Sequence, residues 1–185
     1  MTGMSSTDWY TLLIVAVVVE RLAELVVSKR NIAWAKQHGG VERAFGHYPF
    51  MVVLHIGLLV GCLVEVELTG APFYPWLGWP MLILVVAAQS LRWWCIRALG
   101  PRWNTRIVVV PGVELVRAGP YRFLTHPNYV AVVVEGFALP LVHTAWFTAA
   151  MFTLANFWLL RVRIAAENSA LRELASPSRK ATRSS

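Results

Sequence analysis

The sequence predicts an all-α integral membrane protein with about five transmembrane helices. Of its 185 residues, 57% are hydrophobic and only 15% are charged, whereas soluble domains usually carry about 25% charge. Apolar runs recur along the chain, and nearly all of the Lys and Arg residues flank these runs. We therefore interpret the net charge of +7 as a signal of topology and of contact with lipid headgroups, and we expect no nucleic-acid partner.

Three apolar segments in the first half of the chain suit a hydrocarbon core of about 30 Å. We place them at residues 9–27, 49–66 and 80–96. Residues 28–48 form a polar loop between the first two segments. The turn at 70–79, between the next two, carries Trp76 and Trp79, which suit a membrane interface.

Ionisable side chains lie inside the first two predicted spans. Glu20 and Glu24 are four residues apart and share a helix face, so we expect them near the interface, where they help to pack the helix. We expect His55 to be a hydrogen-bonded packing residue. Cys62 and Cys95 both lie in apolar runs, and their spacing indicates neither a disulfide framework nor a metal site.

The second half of the chain combines a polar connector with a pair of apolar helices. Residues 100–125 form the connector, and we expect its short β-branched run at 107–110 to lie along the interface. A turn signal at 140–144 divides the apolar stretch 128–162 into two helices of about 16 residues, each about 24 Å long. Because this length is short for a full span, we predict a short C-terminal helical hairpin.

The C-terminal end of the chain changes composition twice. Residues 163–174 have an amphipathic pattern, and residues 176–185 are polar and basic, which predicts a disordered tail. The sequence thus predicts a single membrane domain at 1–175.

The distribution of basic residues predicts the orientation. Sixteen of the seventeen Lys and Arg residues fall in three regions, 28–48, 92–125 and 161–185. With five spans, these regions share one side of the membrane. The positive-inside rule then predicts a multi-pass protein of the cell membrane with its N-terminus outside and its C-terminus in the cytoplasm.

One polar passage, at residues 119–129, lies between two strongly apolar regions. Its prolines disfavour helix, so we predict a fixed connector that leads into a helix near Asn128. On the same predicted side, Arg163 and Glu167 are one helical turn apart. They are either a surface ion pair or, with His126 of the polar passage, a cytosolic-face site of a membrane enzyme.

The polar motifs also carry a resemblance. The motif GPYR at 119–122, the motif HPNY at 126–129 and the pattern R-x-x-x-E-x-x-x-L that begins at Arg163 resemble the isoprenylcysteine carboxyl methyltransferase family. Three earlier motifs, ERLAEL at 20–25, SKRN at 28–31 and HYP at 47–49, resemble a bacterial branch of that family. Its members often lie beside type III polyketide synthases and O-methylate alkylresorcinols or alkylpyrones.

The resemblance implies a methyltransferase that uses S-adenosylmethionine. It implies cofactor contacts from side chains of the two motifs and of the last helix, Tyr121, His126, Pro127, Asn128, Tyr129 and Glu167. It implies further backbone contacts at Val113, Glu114, Leu115 and Val116. Arg163 would be the catalytic residue on the acceptor side, where it would stabilise a developing phenolate. The lipophilic acceptor would enter from the bilayer, and the cofactor would enter from the cytoplasm.

The sequence leaves other functions open. Thr125 stands where the family usually has Arg before the His-Pro pair, Asn168 follows Glu167 where a second acidic residue is common, and the C-terminal aromatic signature of the prenylcysteine enzymes is missing. The alternatives are a prenylcysteine carboxyl or lipid-amine methyltransferase, a membrane reductase that binds NADPH, and a non-enzymatic membrane scaffold.

Overall fold

The computed structural model describes residues 4–43, 46, 48–110 and 116–175. Five α-helices make up most of this part of the chain, with the bounds α1 Ser6–Gln37, α2 Tyr48–Thr69, α3 Pro75–Leu99, α4 Pro127–Leu141 and α5 Trp146–Ala175. Two 3₁₀ turns lie in the connector between α3 and α4, at Gly100–Arg102 and Gly119–Arg122. The predicted tail at 176–185 lies outside the described residues.

The all-α prediction is wrong in one detail, because two short strands pair across the polar end of the bundle. They are β1 Val41–Arg43 and β2 Ile107–Val109, and they run antiparallel with Val41 opposite Val109. The β-branched run satisfies its backbone groups against the α1–α2 loop, and its position along the interface stays a prediction. A mostly helical protein with a small two-stranded sheet results.

Helix lengths differ from the sequence-based bounds mainly at the polar ends. The polar loop predicted at 28–48 is helical through Gln37 and turns only at Gly39, whose φ of 75° suits glycine. Likewise, the predicted turn at 70–79 is shorter, because Pro75 begins α3, where its missing N–H costs nothing.

Three of the described helices are long and apolar enough to cross a membrane. They are α2, α3 and α5, together with the chain that continues α3 as far as Arg102. The charged residues of α1 and the 15-residue length of α4 keep those helices out of this group. The described chain is thus a multi-pass membrane protein, and five crossings remain a prediction.

The predicted helical hairpin is right in its turn but wrong in its second arm. Residues 142–145 connect α4 to α5, and the Thr144 hydroxyl donates to the Pro72 carbonyl at 2.7 Å. The first arm, α4, has 15 residues, close to the length expected. α5 has 30 residues, because no proline or glycine ends it and the amphipathic segment 163–174 continues the same helix.

The α4–α5 hairpin packs closely and is fixed at its apolar end. A Cβ at Gly136 of α4 would overlap the ring of Phe152 of α5, so only glycine permits this approach. At the start of α5, the backbone N–H groups of Phe147 and Thr148 donate to the Glu65 carboxylate of α2 at 2.9 Å and 2.7 Å. An acidic side chain at a helix N-terminus is stabilising, so Glu65 fixes the end of α5 that lies away from the polar motifs.

α1 holds the connector in place at the other end of the bundle. Asn31 donates to the carbonyls of Gly100 and Trp103, at 3.1 Å and 2.6 Å. The Ser28 hydroxyl accepts from the Thr105 N–H at 3.0 Å and also lies 2.9 Å from the Thr105 hydroxyl. The first part of the connector, residues 100–105, is therefore fixed against α1.

Candidate functional site

A cavity lies at the polar end of the bundle, where α4 begins and α5 passes the connector. Six of the residues predicted from the sequence line it together, Tyr121, His126, Asn128, Tyr129, Arg163 and Glu167. Two other predicted residues are described but do not line it. Pro127 is buried as the first residue of α4, and Val116 is half-buried in the connector. Val113, Glu114 and Leu115 lie outside the described residues.

The local sequence explains how α4 presents its polar residues. Gly119 has a φ of 57° and Pro120 follows it, so the chain turns sharply before the helix. Pro127 then starts α4 at a position where a proline loses no hydrogen bond. As a result His126, Asn128 and Tyr129 occupy the first turn of α4, which borders the cavity.

Arg163 is buried, with 5% of its surface exposed, and three elements hold its guanidinium. Its Nε donates to the Tyr129 hydroxyl at 2.9 Å, and its Nη2 donates to the Thr105 carbonyl at 2.7 Å. Its Nη1 contacts the Met51 sulfur of α2 at 2.6 Å. The interpretation of Arg163 as half of a surface ion pair is therefore wrong.

Tyr129 connects Arg163 to Glu167. Its hydroxyl accepts from Arg163 and donates to Glu167 Oε2. The His126 ring stacks on the Tyr129 ring with centroids 5.3 Å apart, and His126 Nδ1 lies 4.0 Å from Glu167 Oε1. The side chains that share the cavity thus form one connected polar group, with Glu167 on its more exposed side.

Burial also defines what Tyr121 can do. Removal from solvent, reinforced by the nearby Cys95 thiol, raises the pKa of Tyr121 well above its ordinary value. The phenol therefore stays protonated at physiological pH. Tyr121 can act as a hydrogen-bonding and aromatic wall of the cavity but not as a base.

Sequence reasoning missed the connector's contribution to the cavity. Trp103, Asn104 and Arg106 line it beside the predicted residues. A signal was present, since Trp103, Asn104 and Arg106 form a polar and aromatic cluster that neither a membrane span nor a turn requires. Two buried amide oxygens at the cavity, Oδ1 of Asn104 and Oδ1 of Asn128, accept no hydrogen bond within the described structure. Such groups suit a ligand that carries donors.

A second polar cluster lies deeper in the bundle, away from the cavity lining. Arg21 and Glu24 of α1, Arg92 of α3 and Glu135 of α4 form it, and all but Arg21 are about 5% exposed. Arg21 reaches Glu24 at 2.6 Å and Glu135 at 2.8 Å, and Arg92 also donates to Glu135.

This ionic cluster supplies buried partners for the glutamates of the first span. Glu24 is buried in the cluster, and Glu20 accepts from the Trp93 indole at 2.6 Å, while their position near the interface stays a prediction. Both glutamates nevertheless pack α1 against α3, as expected. The lone Glu135 in an apolar run was the signal that the sequence offered for such a cluster. His55 has the packing role predicted for it, since its Nδ1 lies 2.8 Å from the Met51 carbonyl and its ring meets Phe152 edge-on.

Comparison with known proteins identifies the family of this chain. Residues 81–173 match the isoprenylcysteine carboxyl methyltransferase (ICMT) family. The chain belongs to this family. The match begins inside α3, includes all of α4 and contains each of the six predicted residues that line the cavity. Membership in the isoprenylcysteine carboxyl methyltransferase family implies a membrane methyltransferase.

Two bacterial relatives extend the similarity beyond the family match. An uncharacterized protein of Bacillus subtilis, YpbQ, is 42% identical over 165 residues, which cover 89% of this chain and 97% of the relative. An uncharacterized protein of Haemophilus influenzae is 23% identical over 155 residues, or 83% of this chain and 90% of that protein. The similarity therefore includes α1 and α2, which supply Ser28 and Met51 to the surroundings of Arg163.

The residues at the cavity fit the cofactor that family members use. S-adenosylmethionine offers hydroxyl and amino donors, which the unpaired oxygens of Asn104 and Asn128 can accept. Its sulfonium is a cation, which the stacked rings of His126 and Tyr129 and the Glu167 carboxylate suit. The cavity measures about 120 Å³, below the roughly 300–1,000 Å³ of ordinary ligand pockets, so its walls must separate to take the whole cofactor.

Proposed function

We propose that this protein transfers a methyl group from S-adenosylmethionine to an oxygen of a lipophilic acceptor. The observation that carries the proposal is the buried Arg163, which shares a cavity with the aromatic and acidic residues of the two family motifs. A structural arginine would not need a cavity. A polar cavity at the end of apolar helices suits an enzyme whose two substrates differ in polarity.

Five of the six predicted residues at the cavity would bind and orient the cofactor. Tyr121, His126, Asn128 and Tyr129 would form the wall around it, and Glu167 would hold its positive charge. The buried Pro127 would fix the first turn of α4, and the backbone at 113–116 would add the contacts that the family implies. When bound, S-adenosylmethionine supplies an activated methyl group. The contribution of these residues is alignment, which is the main requirement of an in-line displacement.

Arg163 would act on the acceptor. Three of its five N–H donors are used by Tyr129, Met51 and Thr105, which hold the guanidinium plane in one orientation. Each terminal nitrogen then retains one more donor. A donor held in this way stabilises negative charge that develops on an acceptor oxygen without reorganising during the reaction. Glu167 already accepts from Tyr129, so we assign it to the cofactor and not to proton removal.

The acceptor we propose is the phenolic or enolic hydroxyl of an alkylresorcinol- or alkylpyrone-type polyketide lipid. Its support is the resemblance of the motifs at 20–25, 28–31 and 47–49 to enzymes found beside type III polyketide synthases, which suggests a functional link to such a synthase. The acyl tail would enter laterally from the bilayer. The alternative acceptor is a prenylcysteine carboxylate, which the family name favours, or a lipid amine.

The proposed function predicts transfer of labelled methyl groups. Purified protein in detergent should move label from S-adenosylmethionine to an alkylresorcinol and convert one hydroxyl to a methyl ether, as measured by mass spectrometry. His126→Ala should reduce this transfer by roughly tenfold or more, because the cofactor wall loses its stacked ring. Arg161→Ala serves as the control, since Arg161 is exposed, lies two residues before Arg163 and does not line the cavity.

The same labelling assay with different acceptors separates the alternatives. If label appears in a prenylcysteine ester but not in the resorcinol, the protein is a methyltransferase whose acceptor is the prenylcysteine. Label in neither, with no binding of S-adenosylmethionine by calorimetry, would reject the enzyme and favour a scaffold. Binding of NADPH alone would favour a reductase.

We also propose that the cavity faces the cytoplasm. The charge distribution supports this orientation, because the cavity lies at the end of the bundle that carries the basic connector. A reporter fused after Ser185 should then read as cytoplasmic, and one inserted at Gly70 should read as external. A cytoplasmic reading at Gly70 would show that the orientation is wrong.

A further inference from the structure

Arg106 is a cavity residue that the family motifs do not assign. It stands immediately before β2, and its side chain lines the cavity. Its Nη1 donates to Glu42 Oε1 of β1 at 3.0 Å, and its guanidinium lies 4.7 Å from the centre of the Tyr48 ring. A carboxylate and an aromatic face thus hold this guanidinium at the rim of the cavity.

The three arginines at the cavity differ in what they can bind. Arg163 is buried, and the Tyr129 hydroxyl, the Met51 sulfur and the Thr105 carbonyl hold it. Arg102 lies on the 3₁₀ turn after α3 and is exposed. Arg106 pairs with a carboxylate, that of Glu42. A guanidinium forms two parallel bonds with a carboxylate, so Arg106 is suited to a ligand with that group.

Glu42 has the chemistry of a group that a ligand could replace. It belongs to a three-residue strand, and its carboxylate supplies the same two oxygens as a free amino acid. An isolated two-stranded pair is marginally stable, so little structure opposes a shift of β1. Ile107 and Val108 of β2 line the cavity of about 120 Å³ beside Arg106, so a shift of β1 and β2 would widen it.

We propose that Arg106 binds the α-carboxylate of S-adenosylmethionine and that Glu42 occupies Arg106 until the cofactor replaces it. This inference rests on the proposed function, since it assumes that the cavity takes this cofactor. Arg106 then anchors the amino-acid end of the ligand. His126 and Tyr129 contact the sulfonium. Arg106 exchanges the carboxylate of Glu42 for the carboxylate of the ligand.

Two ligands test the assignment, because they differ only at the amino-acid end. S-adenosylhomocysteine has the α-carboxylate, whereas 5′-methylthioadenosine keeps the adenosine and the sulfur but lacks the amino-acid group. We expect Arg106→Gln, in full-length protein in detergent, to lower the affinity for S-adenosylhomocysteine at least tenfold, as measured by calorimetry. The affinity for 5′-methylthioadenosine should change less than twofold, which also shows that the variant keeps a folded cavity.

Two further variants complete the design. Glu42→Gln should raise the affinity for S-adenosylhomocysteine several-fold and leave the affinity for 5′-methylthioadenosine unchanged, because no carboxylate of the protein then competes for Arg106. Arg102→Gln is the matched control at the same cavity, and it should cost less than Arg106→Gln. The proposal is overturned if Arg106→Gln lowers the affinity for both ligands equally or for neither. It is also overturned if Arg102→Gln lowers the affinity for S-adenosylhomocysteine more than Arg106→Gln does, or if Glu42→Gln lowers it at all. Failure of the unaltered protein to bind either ligand would instead reject the proposed function.

Discussion

Replacement of Arg163 by Ala is expected to lower methyl transfer about a hundred- to a thousand-fold. Loss of one donor that stabilises developing charge typically costs about 2.7–4 kcal/mol in the transition state. Because the three contacts of the guanidinium already fix its plane, Lys at this position should restore only part of the rate. Single-turnover rates at saturating S-adenosylmethionine measure the effect.

The structure adds a cost that the sequence did not suggest. Arg163 is buried and bonded to Tyr129 and Thr105, so its removal leaves the buried Tyr129 hydroxyl and the half-buried Thr105 carbonyl with one partner fewer. Each such loss typically costs about 1–3 kcal/mol. We therefore expect the Ala variant to unfold at a lower temperature, and the Lys variant, which keeps a donor, to lie between the two.

Glu167→Gln provides the matched comparison on the same helix face. Its side chain is about 30% exposed and meets the cofactor side of the cavity, so it should first weaken S-adenosylmethionine binding. If Arg163→Ala or Arg163→Lys leaves turnover unchanged, Arg163 has no role in methyl transfer. Equal losses of cofactor affinity in the Arg163 and Glu167 variants would show that the division of roles is wrong.

Glu135→Leu should be the most destabilising single substitution that leaves the cavity lining untouched. It removes the carboxylate that Arg21 and Arg92 share, so that of the four residues of the ionic cluster Glu24 alone is left to pair with the two arginines. Removing one partner of a buried ion pair typically costs about 3–5 kcal/mol, since the other charge stays buried without compensation. Thermal unfolding in detergent should show a clear decrease in midpoint temperature.

Glu67→Leu is the control for this experiment, because Glu67 lies on the exposed end of α2. It should shift the midpoint little. Replacing Arg92 and Glu135 together with Leu should recover part of the loss, because a buried pair exchanged for apolar side chains is often nearly neutral. A midpoint for Glu135→Leu equal to that of Glu67→Leu would show that the ionic cluster does not stabilise the bundle.

Local features of the sequence determined much of this protein. Hydropathy identified the apolar segments, and the prolines indicated where the connector ends and α4 begins. The i and i+4 spacing placed Arg163 and Glu167 on one face of one helix, as found. These features could be predicted because each depends on residues within a few turns of one another.

The tertiary structure decided which distant residues meet. Arg163 bonds to residues 58 and 112 positions away, and Arg21 bonds to a glutamate 114 positions away. Such pairs depend on how the helices rotate and cross, and hydropathy does not encode this. For the same reason the β1–β2 pairing and the cavity position of Arg106 were not predicted. In a membrane interior, a polar group that has no partner nearby in the sequence must be paired with a distant one. Which residue becomes that partner is decided only by the packing of the helices.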